Sequence, residues 1–334
     1  MHKYQNLFRQ SFVGLLILFL TSCSSEDEVI SLAGKSTIVS IATTNQPNLT
    51  TFVSALNRFP DLVTTFNSPG NFTLFIPSNA AFTTFLASTP YATVNDVPLA
   101  TLREIISNHV VAGSYTSAPT TGTLMLSTGY LKTLARGNAS NTNTLSIYIN
   151  TNNSGVRLNG VSSVTTANIL ASNGIVHLVD AVIGLPTILT HASANSNLST
   201  LATIIKSTSG SYGNQSGVAT VLSTNTSPLT VFAPTNDAFI AAFATGAWAN
   251  GATPTQLTKV LQYHITANGN ILALDLQQNQ IITMITTPTL NTTIDLLGGA
   301  KIRDTQNISA AISITDIQCT NGIIHAIDKV LRPF

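Results

Sequence analysis

Two histidines sit at matched places in this chain, His177 in Asn173-Gly174-Ile-Val-His-Leu-Val-Asp180 and His325 in Asn321-Gly322-Ile-Ile-His-Ala-Ile-Asp328. An imidazole three residues before a carboxylate suits metal ligation or proton transfer. Each copy, however, offers one His with no further Cys, Asp or Glu at ligand spacing. The expected role is a core histidine satisfied by neighbouring polar groups, and no metal site is expected. Asp180 and Asp328 lack a matched carboxylate partner within their halves. They are read as paired with backbone N–H groups or with a conformationally fixed neighbour, specifying the fold together with His177 and His325. His109 and His264 end two helical patterns, where an imidazole bonds the last free carbonyls and, when charged, favours the helix dipole. A partner-contact role is the alternative, with more to support it at His264 because Tyr263 stands beside it. Trp248, flanked by small residues, suits either stacking on a sugar or protein partner or plugging a gap. The candidate partner-binding residues are therefore Tyr263, His264, Trp248 and His109. The motifs G-x-S-x-G, H-E-x-x-H, P-loop, G-x-G-x-x-G, C-x-x-C and EF-hand are absent from the sequence. No catalytic residue and no cofactor is nominated, and the chain is expected not to be an enzyme.

The elements that position these residues occur twice, in one order. Phe72-Thr-Leu-Phe-Ile-Pro-Ser-Asn-Ala-Ala-Phe82 is echoed by Leu229-Thr-Val-Phe-Ala-Pro-Thr-Asn-Asp-Ala-Phe239, and the segment ending at His109 by that ending at His264. The spacing is a whole domain, not a solenoid repeat. Each half opens with apolar residues at helical spacing: Leu49, Phe52, Val53 and Leu56, then Leu198, Leu201, Ile204 and Ile205. A strand follows, stopped by Pro77 or Pro234, and Ser78 or Thr235 supplies a helix cap. Longer helices are predicted over Leu99–Val110 and Gln256–Ile265, and strands thereafter. Asn173-Gly174 and Asn321-Gly322 read as type I′ hairpin turns. The apolar residues after each turn point to both faces, which predicts a central, doubly covered strand. Helices then strands within about 150 residues give an α+β fold. Cys319 aligns with Ala171 and reads as a small buried residue.

The N-terminus adds a compartment. His2, Lys3 and Arg9 precede an apolar run from Phe12 to Leu20, broken only by Gly14. That length suits a signal sequence and is too short to span a bilayer. Leu20-Thr21-Ser22-Cys23 resembles a bacterial lipoprotein signal, which implies cleavage after residue 22 and a lipid anchor on Cys23. Residues 23–35 then form an anchored tether. Its acidic run Glu26-Asp27-Glu28 resembles the export signal of surface lipoproteins of Bacteroidota, so an outer-membrane protein exposed at the cell surface is expected. Of 14 Lys and Arg, Lys3 and Arg9 fall in the leader, against 13 Asp and Glu, all beyond it. With no basic patch, nucleic acid is not an expected partner.

At these matched boxes both halves resemble fasciclin domains. The first box is carried by residues 72–82 and 229–239, the second by Asn173–Pro186 and Asn321–Pro333. The resemblance implies two tandem domains, residues 36–185 and 186–334, each a β-wedge with helices packed on one side. It also implies adhesion or partner binding outside the cell, to a matrix, a glycan or a protein. A structural envelope or biofilm-matrix component, and an accessory binder of a glycan-uptake system, are the alternatives. The resemblance also implies a Tyr-His region, linked in animals to integrin binding; it is present as Tyr263-His264 and altered to Asn108-His109 in the first half, which weakens the expectation of a recognition site there.

Overall fold

Pro77 and Pro234 each end a first strand, and the hydroxyl that follows starts a helix: Ser78 accepts from the Ala81 amide at 3.2 Å and Thr235 from Ala238 at 3.4 Å. A computed structural model describes residues 36–44, 47–244 and 252–334. All of them fall within one compact unit. Cys23, the leader and tether, and Trp248 lie outside the described residues.

The first half runs α1 (Ile38–Thr43), α2 (Thr50–Leu56), α3 (Pro60–Asn67), β1 (Phe72–Pro77), α4 (Asn79–Ala87) and α5 (Leu99–Asn108). Strands β2 (Val110–Ala112), β3 (Tyr115–Thr116), β4 (Leu124–Met125), β5 (Gly129–Gly137), β6 (Ser140–Asn152), β7 (Gly155–Leu158), β8 (Ser162–Ala171) and β9 (Gly174–Val179) follow. The second half repeats this as α6 (Ile188–Ala194), α7 (Ser199–Ile205), α8 (Ser216–Thr224), β10 (Leu229–Pro234), α9 (Asn236–Ala244) and α10 (Pro254–Gln262). Its strands are β11 (Ile265–Thr266), β12 (Ile281–Thr283), β13 (Asn291–Asp295), β14 (Lys301–Arg303), β15 (Ser309–Cys319) and β16 (Gly322–Ile327).

The last strand of each half is central. β9 lies between β1, which it pairs in parallel, and β8; β16 lies likewise between β10 and β15. In the first half the sheet closes as a barrel, β1-β2-β5-β6-β7-β8-β9. In the second it stays open between β11 and β12. There the Ile285 amide donates to the Ile265 carbonyl at 2.9 Å and the Thr266 hydroxyl to Thr283 at 2.6 Å. Strand alternation sorts two cores. Leu74 and Ile76 meet Phe52, Phe66 and Phe82 of the helices, whereas Phe75 joins Ile147, Ile149 and Leu158 inside the sheet.

Two local expectations are corrected. The long helices stop at Asn108 and Gln262, because His109 and His264 turn their rings back on the last turn and Val110 and Ile265 enter the sheet. The start of α10 moves forward to Pro254, set by a capping box between Thr253 and Gln256. The Asn-Gly pairs also do not form the hairpin centre. Ala171 pairs directly with Gly174 and Cys319 with Gly322, so the two loop residues are Ser172-Asn173 and Thr320-Asn321. Asn173 instead ties helices together: it accepts from the Ile38 amide at 2.9 Å and donates to the carbonyls of Phe66 and Ser68. Asn321 does the same with Ile188 and Leu222.

The halves meet along β5, β6, β15 and α6. The Lys132 ammonium donates to Ser146 Oγ and, at 2.7 Å, to the Asp316 carbonyl; Ser146 Oγ also accepts from the Gln318 amide. Ala139 donates to Thr320, and Asn195 to the Tyr130 hydroxyl. A Cβ on Gly137 would stand 2.6 Å from Thr320 Cα and 3.3 Å from the Cys319 carbonyl oxygen. Gly137→Ala is therefore expected to push the strands apart, costing about 1–3 kcal/mol. The readout is faster hydrogen exchange at Ala139 and Thr320; unchanged exchange would show that the seam tolerates the methyl.

Candidate functional site

The paired histidines are built into the frame. β8 and β15 each carry a bulge at a residue in left-handed conformation, Asn168 (φ 63°) and Asp316 (φ 59°). Such a bulge leaves an amide without a ladder partner. His177 Nδ1 accepts the Asn168 amide at 3.3 Å and His325 Nδ1 the Asp316 amide at 3.4 Å. On the other edge Nε2–H donates to the Tyr115 carbonyl, or to Ile271, both at 2.9 Å. The rings stack on Phe75 and Phe232, with centroids 5.4 and 5.7 Å apart. Burial lowers both pKa values, partly offset by the carbonyl partner. Asp180 and Asp328 accept the amides of Ser163 and Ala311 across the sheet at 2.6 and 2.7 Å.

His109 and His264 form a second matched pair. Nδ1–H donates to the carbonyl four residues back, Ile105 or Val260, at 2.7 Å; Nε2 accepts the amide of Ile183 or Leu331 at 2.9 Å. A carbonyl on one nitrogen and an N–H on the other fix the neutral tautomer. Burial pushes both pKa values down to about 4, against the smaller raising effect of the carbonyl. Each ring clips a helix end to the chain leaving the last strand, uncharged, so the dipole part of the expectation does not apply.

The expectation that Tyr263, His264 and His109 contact a partner is corrected, because all three side chains are buried. The Tyr263 hydroxyl donates to the Asn291 carbonyl and accepts the Thr305 amide. Asn108, at the matched place, is equally buried and donates to the carbonyls of Ile183 and Gly184. The Tyr-to-Asn difference thus separates two internal packings. Cys319 is buried, and burial raises its thiol pKa far above the ordinary value.

The accessible polar features lie elsewhere. Both halves carry a cleft on the outer face of the long helix. The shift that lays His109 on His264 places Ala100, Thr101, Arg103 and Glu104 of one cleft on Thr255, Gln256, Thr258 and Lys259 of the other. The chain leaving the last strand closes one side, with Leu185 in the first and Phe334 in the second. The first cleft is about 460 Å³: Arg103 forms a two-pronged ion pair with Asp61, Glu104 accepts the backbone N–H of Arg136, and the Arg136 guanidinium forms no ion pair among the described residues. The second is about 510 Å³, and no Asp or Glu side chain lines it. Residue patterning alone did not single out this second cleft. Its helical part, Thr255, Lys259 and Gln262, is one polar stripe at i, i+4 and i+7, but Asn214, Thr287 and Phe334 come from distant segments. A third groove, about 480 Å³, lies between Val161 and the α6 residues Leu189 and Ser193.

Two domains of helices over a wedge-like sheet, with their matched histidines spent on structure, define a tandem α+β fold class. The family model for the fasciclin domain matches residues 47–186 and again 196–333, and the chain belongs to the fasciclin domain family. Among solved structures it is similar to the FAS1 domain pair of the insect cell adhesion molecule Fasciclin I, with a TM-score of 0.50 and 19% identity over 85% of this chain and 96% of that one. Among relatives, Aurofusarin biosynthesis cluster protein S of Gibberella zeae is 26% identical across 86% of this chain and 75% of its own length. Immunogenic protein MPB70 of Mycobacterium bovis is 33% identical over 43% of this chain and 67% of its own length.

Proposed function

We propose that this tandem fasciclin protein is a non-catalytic adhesion or binding lipoprotein, anchored through Cys23 and displayed at the cell surface. The observation that carries the reading is the pair of fasciclin domains, an architecture it shares with a cell adhesion molecule of insects. The compartment rests on Leu20-Thr21-Ser22-Cys23 and the acidic tether behind it. The partner is a matrix, a glycan or another protein, met by exposed loops and helix faces, since the matched histidines are enclosed. Protease added to intact cells is expected to remove the domains, and Cys23→Ala to shift the protein from the membrane to the soluble fraction. Domains that survive on intact cells but are cut after lysis would overturn surface display. The polar seam that holds the two domains as one unit also favours a second reading, an envelope or matrix spacer. A deletion strain with normal adhesion and a weakened biofilm would select it.

A further inference from the structure

We infer that the cleft on α10 is a binding site for an acidic saccharide, a uronate-containing glycan. The inference deepens the binding role proposed above by naming a site and a ligand class. Three kinds of group meet in this cleft. Lys259 projects its ammonium over the ring of Phe334, 5.8 Å from the centroid, and forms no ion pair among the described residues. Phe334 is half exposed, its ring available as a platform. The Nδ2 of Asn214, the amide of Gln262 and the hydroxyls of Thr255 and Thr287 form no hydrogen bond among the described residues and line the same space.

Amides and hydroxyls both donate and accept, as the hydroxyls of a sugar do. The negative face of an aromatic ring attracts the C–H face of a pyranose. An ammonium that forms no ion pair and faces no Asp or Glu side chain in its cleft selects a ligand that brings a carboxylate, and the charge-assisted bond is the strong kind. The volume of the cleft lies in the ordinary range for small-ligand sites. The first domain supplies an internal contrast. Its cleft occupies the same place, yet there a carboxylate, Glu104, stands where Lys259 stands here, and Leu185 lies beside it in place of an aromatic ring. The fold makes the groove twice, and the second copy alone combines an unpaired cation with an exposed ring.

The test is calorimetric titration of the full protein with tetragalacturonate, alongside cellotetraose as a neutral sugar and tetraglutamate as a carboxylate peptide. Saturable binding of tetragalacturonate is expected, weakened about tenfold or more by Lys259→Gln and by Phe334→Ala. Both side chains are at the surface, and unchanged melting curves verify that the variants are folded. Arg136→Gln, in the first cleft, is expected to leave binding intact. Absence of saturation, equal binding of cellotetraose or of tetraglutamate, or loss of binding only in Arg136→Gln would each overturn the assignment. Because the titration uses purified protein, a failure there leaves surface display and adhesion to other partners standing.

Discussion

Gly174→Ala is expected to unfold the first domain, and Gly322→Ala the second. A Cβ on Gly174 would lie 2.0 Å from the Phe72 carbonyl oxygen and within 2.9 Å of the Phe72 C and N atoms; on Gly322 it would lie 2.1 Å from the Leu229 oxygen. The obstacles are backbone atoms of the parallel partner strand, so no rotamer change relieves them. Both glycines also have positive φ, 156° and 151°, which adds backbone strain for any L side chain. The clash falls where β1 meets β9, and where β10 meets β16, the central parallel pairing of each domain's sheet. A cost above about 4 kcal/mol is expected, a large part of a domain's whole margin. Urea unfolding of the full chain would show it: Gly174→Ala should lose the transition of one domain and keep that of the other. Gly217→Ala is the control. It lies in α8 with open space around it, and alanine there is expected to be neutral or to stabilise by up to about 1 kcal/mol. A Gly174→Ala midpoint equal to that of Gly217→Ala would mean that the strands are not so closely apposed.

These glycines show how far the sequence could be read. The repeat of Asn-Gly marked a hairpin but misplaced its centre by one residue, and the double-faced apolar run after it marked a central strand. The task of each residue was hidden, because the partners are remote. Asn173 bonds Ile38 and Phe66, 135 and 107 residues away, and no local spacing encodes such a contact. Gly174 is required by the backbone of Phe72, which approaches only after the parallel pairing forms. The same limit governs the site. Tyr263 beside His264 has the composition of an exposed recognition pair, yet both side chains point inward to backbone groups that arrive from β13, from residue 305 and from the chain after β16. The α10 cleft was not singled out by residue patterning: one helix supplies its polar stripe, and it becomes a site only where Phe334 is brought against Lys259.

The matched histidines lead to the second large effect, loss of stability in mild acid. His109 and His264 titrate near pH 4 in the folded protein and near 6.5 when unfolded. The unfolded chain therefore binds more protons between these values, and stability present above pH 6.5 is lost as the pH falls toward 4. Each ring is worth about 3 kcal/mol across that interval. His177 and His325 act in the same direction. His191 adds to the effect at the seam. It is fully buried against Tyr130, burial lowers its pKa to about 3, and Lys132 nearby pushes the same way; the backbones of Ser146 and Gln318 approach the ring without closing a hydrogen bond. The carboxylates of exposed Asp61 and half-buried Asp295 have lowered pKa values and titrate below this window. Urea midpoints measured from pH 7.5 to 4 should thus fall steeply, and two variants separate the causes. His191→Leu removes two unpaired buried nitrogens, so it should flatten the acid slope while raising stability at pH 7.5 by about 1–3 kcal/mol. His109→Leu should also flatten the slope, but it strands the Ile183 amide and the Ile105 carbonyl and should lower stability at pH 7.5 by a similar amount. An acid slope identical in wild type and both variants would place the proton uptake on other groups.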